Sequence, residues 1–191
     1  MKAIILNGAR KGETSLDVIH SLLLEQLTAL GWESEPFILR KLDIAYCQAD
    51  LDCWFKTPGA CTGTRTVNQM ANAMIHGDLA ILLTPVTFGG YSSELKKALD
   101  HFNSLVLPFL TRIDGEARRS PRYAHYPRLL GIGALPAPDP ESEAIFKELV
   151  KRNANTLHAP SHAASVVYET QRRHEIRTHI AALIARVEAM A

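Results

Sequence analysis

Apolar positions fall into two kinds of run along this chain, short continuous blocks and longer stretches that repeat every three or four residues. The blocks cover residues 3–6, 79–84, 129–135 and 164–168, with a shorter, half-polar one at 35–39. Blocks of this length read as strands. The block at 79–84, stopped by Pro85, has the character of a strand buried on both faces. Leu16, Ile19, Leu23, Leu27 and Leu30 instead recur at helical spacing, and Gly31 follows as a stop. Thr14 is placed to cap that helix, with Asp17 three residues on in a capping-box position. Helical patterns also cover 67–75, 92–105, 140–157 and 171–190. Asp139-Pro140 opens the third of these, with Asp as cap and Pro at the first helical position.

Strands that alternate with helices predict βαβ units on a parallel sheet. Five strands and five helices fit a three-layer, doubly wound, flavodoxin-like sandwich with strand order 2-1-3-4-5. No internal repeat interrupts the pattern, so residues 1–191 read as a single domain. Two stretches resist it: 41–63, which holds all three cysteines, and 108–127, rich in Arg and aromatics. Loops of that length in a compact domain are usually functional or packed on a partner.

Charge narrows the function. The chain carries 21 Lys+Arg against 20 Asp+Glu, a formal net charge of +1. That balance argues against nucleic acid as partner and against a strongly acidic electron carrier. No apolar run approaches the roughly 20 residues of a membrane span. Three cysteines with no secretory pattern suit a reduced, cytoplasmic protein rather than a disulfide framework.

Ligands of such sheets bind outside the carboxyl ends of the strands. The loop after the first strand reads Gly8-Ala9-Arg10-Lys11-Gly12-Glu13-Thr14-Ser15. Its glycines, hydroxyls and cations, set before a helix N-terminus, suit a phosphate. A plain strand-to-helix turn would carry the same spacing, which matches neither a dinucleotide fingerprint nor a Walker loop. The loop after the third strand reads Thr84-Pro85-Val86-Thr87-Phe88-Gly89-Gly90-Tyr91-Ser92. A Gly pair between two aromatics can meet the edge and face of a flat ring, or can be a turn with aromatics packed inward.

The opening strand and loop, the segment Cys53-Trp54-Phe55-Lys56-Thr57-Pro58-Gly59-x-Cys61, and the second loop with Leu95-Lys96-Lys97-Ala98-Leu99-Asp100 resemble the NAD(P)H-dependent FMN reductase family. That family has the flavodoxin-like fold and includes relatives of the iron–sulfur flavoproteins. The resemblance covers roughly the first 135 residues. It implies that Gly8, Ala9, Arg10, Lys11, Gly12, Thr14 and Ser15 bind the FMN phosphate. It implies equally that Pro85, Val86, Thr87, Phe88, Gly89, Gly90, Tyr91 and Ser92 line the isoalloxazine. Family members often carry Ser-Pro after Asn-Gly, whereas Ala9 and Arg10 follow directly here, so Thr14, Ser15 and Arg10 must compensate.

The resemblance implies an FMN-dependent oxidoreductase that takes hydride from NADPH or NADH and passes electrons to a small quinone, flavin or other electrophile. The flavin N5 carries the hydride, so no catalytic side chain is expected. The N–H groups of residues 86–90 and the following helix would supply a positive edge. A flavin-bound electron carrier and an iron–sulfur flavoprotein are the alternatives. The iron–sulfur relatives use four cysteines, and Asp50 stands where the resemblance leads one to expect another. Cys47, Cys53 and Cys61 therefore read as packing thiols or as a redox pair near the flavin, with no metal. The stretch 108–127 reads as an interface, and 118–128 as an exchanged arm of a homodimer.

Overall fold

The structure, a computed structural model, describes residues 1–113 and 115–190. Five parallel strands form the central sheet: β1 (Lys2–Asn7), β2 (Glu33–Ile38), β3 (Leu79–Pro85), β6 (Arg128–Leu135) and β7 (His162–Tyr168), in the order β2-β1-β3-β6-β7. Counted along the sheet's own strands this is the expected 2-1-3-4-5. Between them run α1 (Ser15–Ala29), α2 (Asp52–Phe55), α3 (Arg65–His76), α4 (Ser93–Asp100), α5 (Pro140–Thr156) and α6 (Arg173–Ala189).

The period of two in a strand divides the core. Ala3, Ile5, Leu79, Ile81 and Leu83 pack with α1 and α6 on one face. Ile4, Leu6, Ala80 and Leu82 pack with α3, α4 and α5 on the other. All seven residues of β3 are buried, as its continuous apolar block requires. Gly131 and Gly133 let α5 lie close to β6, since a Cβ at 131 would stand 2.5 Å from Val150 and one at 133 would stand 3.1 Å from Phe146.

Three expectations change. Thr14 makes no side-chain cap bond; its carbonyl accepts the Asp17 N–H at 2.9 Å, and the Asp17 carboxylate pairs with Arg40 instead. The helix expected at 92–105 is α4 followed by a 3-10 turn at His101–Leu105. The described residues of 108–127 are not a plain loop. They hold most of an antiparallel hairpin, β4 (Val106–Ile113) with β5 (Glu116–Pro121).

That hairpin folds onto its own chain. Arg122 donates to the Val106 carbonyl, and the Arg119 guanidinium donates to the Pro108 carbonyl and lies 4.6 Å over the Trp54 ring. The buried Tyr126 hydroxyl is the hub beneath it. It donates to the Leu105 carbonyl at 2.6 Å and accepts the N–H groups of Arg122 and Tyr123 at 2.8 and 3.3 Å. Tyr126→Phe removes all three bonds and leaves buried groups unpartnered, so it should cost about 1–3 kcal/mol. In a urea titration the midpoint should fall with an unchanged slope; an unmoved midpoint contradicts the hub.

Candidate active site

The two loops singled out in the sequence meet at the carboxyl ends of β1 and β3. Ser92 joins them. Its hydroxyl donates to the Gly8 carbonyl at 2.5 Å and accepts the Leu95 N–H at 3.2 Å, capping α4. Its own N–H donates to the Thr84 hydroxyl at 2.9 Å, and the Gly8 N–H reaches the Leu83 carbonyl at 2.7 Å. A Cβ at position 8 would lie 2.7 Å from the Leu95 Cβ and 2.8 Å from the Ser92 Oγ, so only glycine lets the loops close this far.

Much of the first loop is engaged internally. The Ala9 N–H donates to the Asn7 side chain at 2.9 Å, and the Ala9 side chain is buried in the core beside α1. The Arg10 N–H donates to a Glu13 carboxylate oxygen at 2.9 Å, and Glu13 returns its N–H to the Arg10 carbonyl at 3.1 Å. Among the described residues, the N–H groups of Lys11, Gly12, Thr14 and Ser15 have no acceptor in the protein. Together with the Thr14 hydroxyl and the Lys11 ammonium, they form a donor set suited to an anion before a helix.

The second loop is a tight turn. Thr87 and Gly90 exchange backbone hydrogen bonds at 3.0 and 2.8 Å, around Phe88 and Gly89 with φ of 50° and 73°. Two consecutive positive φ values match a type I′ turn, and they hold Phe88 almost wholly in solvent at 97% exposure. The Val86 N–H donates to the Ala134 carbonyl at 2.9 Å. Of the N–H groups at 86–90 expected to form a positive edge, only Phe88 and Gly89 are therefore free among the described residues. A side chain at 89 would strike Ile145 at 2.5 Å, so Gly89 packs on α5. Pro85 is buried at the end of β3. The Tyr91 hydroxyl accepts from Asn153 at 2.9 Å, and burial pushes its pKa up to about 12.

Sequence reasoning missed three participants. Glu13 fills part of the first loop, Arg40 holds the Glu13 carbonyl at 3.0 Å, and Asn153 holds Tyr91. The Arg10–Glu13 spacing of three is the one local signal that was present. A cavity of about 450 Å³ opens beside Gly90 and Tyr91, between α4 and α5, with Leu99, Phe102 and Leu149 in its wall.

Residues 41–63 shape a second cavity of about 320 Å³ that collects Cys47, Asp50, Cys53 and Cys61 beside His101. Positive φ at Ala49 and Leu51 bends the chain around it. His101 Nε2 lies 2.8 Å from the Ala45 carbonyl and so carries the proton in the neutral ring. Its Nδ1, 3.2 Å from Cys61 Sγ, accepts from that thiol. Burial, then the neighbouring Cys61, Cys47 and Asp50, pushes the Cys53 thiol up. Among the described residues no group of three or more His, Cys, Asp or Glu is placed to hold a single metal ion.

A family model described as NADPH-dependent FMN reductase matches residues 1–115, which contain both loops. The chain belongs to that family. An iron–sulfur flavoprotein of Methanocaldococcus jannaschii is 29% identical over 112 residues, 59% of this chain and 57% of that relative, so the match spans little more than half of the relative's length. Among solved structures, a candidate quinone reductase from Klebsiella pneumoniae superposes with a TM-score of 0.71 at 14% identity, covering 100% of this chain and 85% of that one. An NAD(P)H:quinone oxidoreductase from Methanothermobacter marburgensis gives 0.70 at 13% identity, covering 95% and 93%. The family member described here thus shares the flavodoxin-like fold with both.

Ser92→Ala leaves the Gly8 carbonyl and the Leu95 N–H unpartnered and should lose about 1–3 kcal/mol. Thr14→Ala removes no cap bond and should stay within about 0.5 kcal/mol of the parent. Chemical denaturation of the two variants decides this, and equal losses would contradict the seam.

Proposed function

We propose that this protein is an FMN-dependent oxidoreductase that takes hydride from NADPH or NADH and passes electrons to a small quinone, flavin or other electrophile. The observation that carries the reading is the seam at Gly8 and Ser92, which holds two loops with free N–H groups side by side in a chain of the FMN reductase family. When bound, FMN supplies the hydride-accepting and electron-donating chemistry. The residues supply grip and orientation. Lys11, Gly12, Thr14 and Ser15 hold the phosphate, while the N–H groups of Phe88 and Gly89 face the ring edge and stabilise negative charge on it. The cavity beside Gly90 has the size and apolar wall that suit a small aromatic acceptor.

Assembly and location belong to the same reading. Phe109 and Leu110, each 67% exposed on β4, support a homodimer that covers them. Among the described residues no helix is long and apolar enough to cross a membrane. The three free cysteines support a cytoplasmic setting. An iron–sulfur flavoprotein is a second reading, favoured by the cavity that gathers Cys47, Cys53 and Cys61. Asp50 in that cavity leaves a cubane cluster one thiolate short of its usual four.

The purified protein is expected to take up FMN, to oxidise NAD(P)H in steady state with a quinone, to scatter light as a dimer at micromolar concentration, and to hold less than one iron per chain. A preparation that takes up no FMN overturns the main reading. A monomer overturns the assembly, and near four irons with four sulfides after anaerobic reconstitution establishes the second reading. Because Phe88 is exposed, Phe88→Ala should leave stability unchanged within about 0.5 kcal/mol. Loss of its contact with the ring should lower kcat/KM for NAD(P)H by about tenfold. An unchanged kcat/KM removes Phe88 from the site.

A further inference from the structure

We infer that Glu13 is an anion the first loop supplies for itself, and that it sets how strongly the site prefers a phosphorylated flavin over an unphosphorylated one. This rests on the reading of residues 8–15 as the phosphate loop. One Glu13 carboxylate oxygen accepts the Arg10 N–H at 2.9 Å and lies 3.5 Å from the Arg10 Nε. The other accepts from the Ser15 hydroxyl at 3.4 Å. The Glu13 side chain is only 19% exposed, whereas the Arg10 side chain it pairs with stays largely in solvent. Arg40 fixes the residue through its carbonyl at 3.0 Å and is itself anchored on Asp17 at 2.9 Å.

Two donors a phosphate would use, the Arg10 N–H and the Ser15 hydroxyl, are therefore already bonded to a carboxylate, and the Arg10 guanidinium is paired with it. The donors left over are the N–H groups of Lys11, Gly12, Thr14 and Ser15, the Thr14 hydroxyl and the Lys11 ammonium. An incoming phosphate must displace the carboxylate from its donors or bind beside it. Displacement exchanges one set of charge-assisted bonds for another, so little is gained. Binding beside it sets two negative groups within a few ångströms of each other, a repulsion that corresponds to well over tenfold in affinity at the dielectric of a protein surface. Either route weakens the hold on the phosphate and leaves the hold on the ring untouched. Riboflavin, which differs from FMN only in lacking the phosphate, escapes both penalties.

The test is a fluorescence titration of FMN and of riboflavin with the whole protein and with Glu13→Gln. Gln keeps the length of the side chain and an oxygen for the Arg10 N–H but removes the charge. The wild-type protein is expected to bind FMN less than about tenfold more tightly than riboflavin, since only part of the roughly tenfold gain per 1.4 kcal/mol of phosphate contact survives. Glu13→Gln should raise that ratio by about 10- to 100-fold, as each recovered charge-assisted bond contributes on that scale. Its riboflavin affinity should stay within about twofold, which also reports that the variant is folded. Glu13→Ala should move the ratio in the same direction. Inorganic phosphate should compete with FMN more strongly in the Gln variant than in the parent. A ratio that is unchanged or lowered in both variants overturns the inference and makes Glu13 a brace for the turn. Failure of either protein to bind either flavin overturns the flavin reading itself, a different result from a constant ratio.

Discussion

The site hangs on one close approach, between the backbone at Gly8 and the side chain of Ser92. The end of β1 and the loop after β3 come from distant parts of the sequence, and the sheet alone would leave them as two separate turns. The Ser92 hydroxyl bonds the Gly8 carbonyl and the Leu95 N–H together, so the entry to α4 is tied to the exit of β1. The approach needs glycine at position 8, because a methyl there would overlap Leu95. Buried polar bonds of this kind stabilise little in net terms, but leaving them unmade is costly, and they therefore fix a single arrangement.

Once the seam is closed, the backbone hydrogen bonds decide which groups remain for a ligand. Gly8, Ala9, Arg10, Val86, Thr87, Gly90 and Ser92 use their N–H groups within the protein. What is left is a small set at the rim, Lys11, Gly12, Thr14 and Ser15 on one loop and Phe88 and Gly89 on the other. The positive φ values at Phe88 and Gly89 produce this division, since they turn the tip back on itself and expose it. A left-handed non-glycine residue carries strain of order 1–3 kcal/mol, and such strain gathers at functional sites.

The sheet was legible from the chain because β1, β3 and β6 are continuous apolar blocks bounded by turn residues, and their alternation with helices fits the doubly wound order. The hairpin was not. β4 contains Pro108 and exposes Phe109 and Leu110, while half of β5 is charged and the rest is small or polar, so neither shows the alternation of a half-buried strand. Arg119 over Trp54 and the bond from Tyr126 to the Leu105 carbonyl hold it, and these join residues far apart in sequence. In the candidate site, the residue types of both loops were legible but not their duties. Ser92 reads as a ligand and serves as a joint, Ala9 reads as a ligand and lies in the core, and Gly89 meets Ile145 rather than open space. Glu13 passes in the sequence as one more polar loop residue, although its carboxylate holds the loop's own donors.

The proposed FMN site joins the two loops through the N–H groups they leave free. Amide hydrogen exchange at single-residue resolution, with and without saturating FMN, measures those groups directly. Slowing is expected together at Lys11, Gly12, Thr14 and Ser15 on the first loop and at Phe88 and Gly89 on the second, with the same FMN dependence. Protection confined to one loop, or appearing instead around the cavity of Cys47, Cys53 and Cys61, would contradict it.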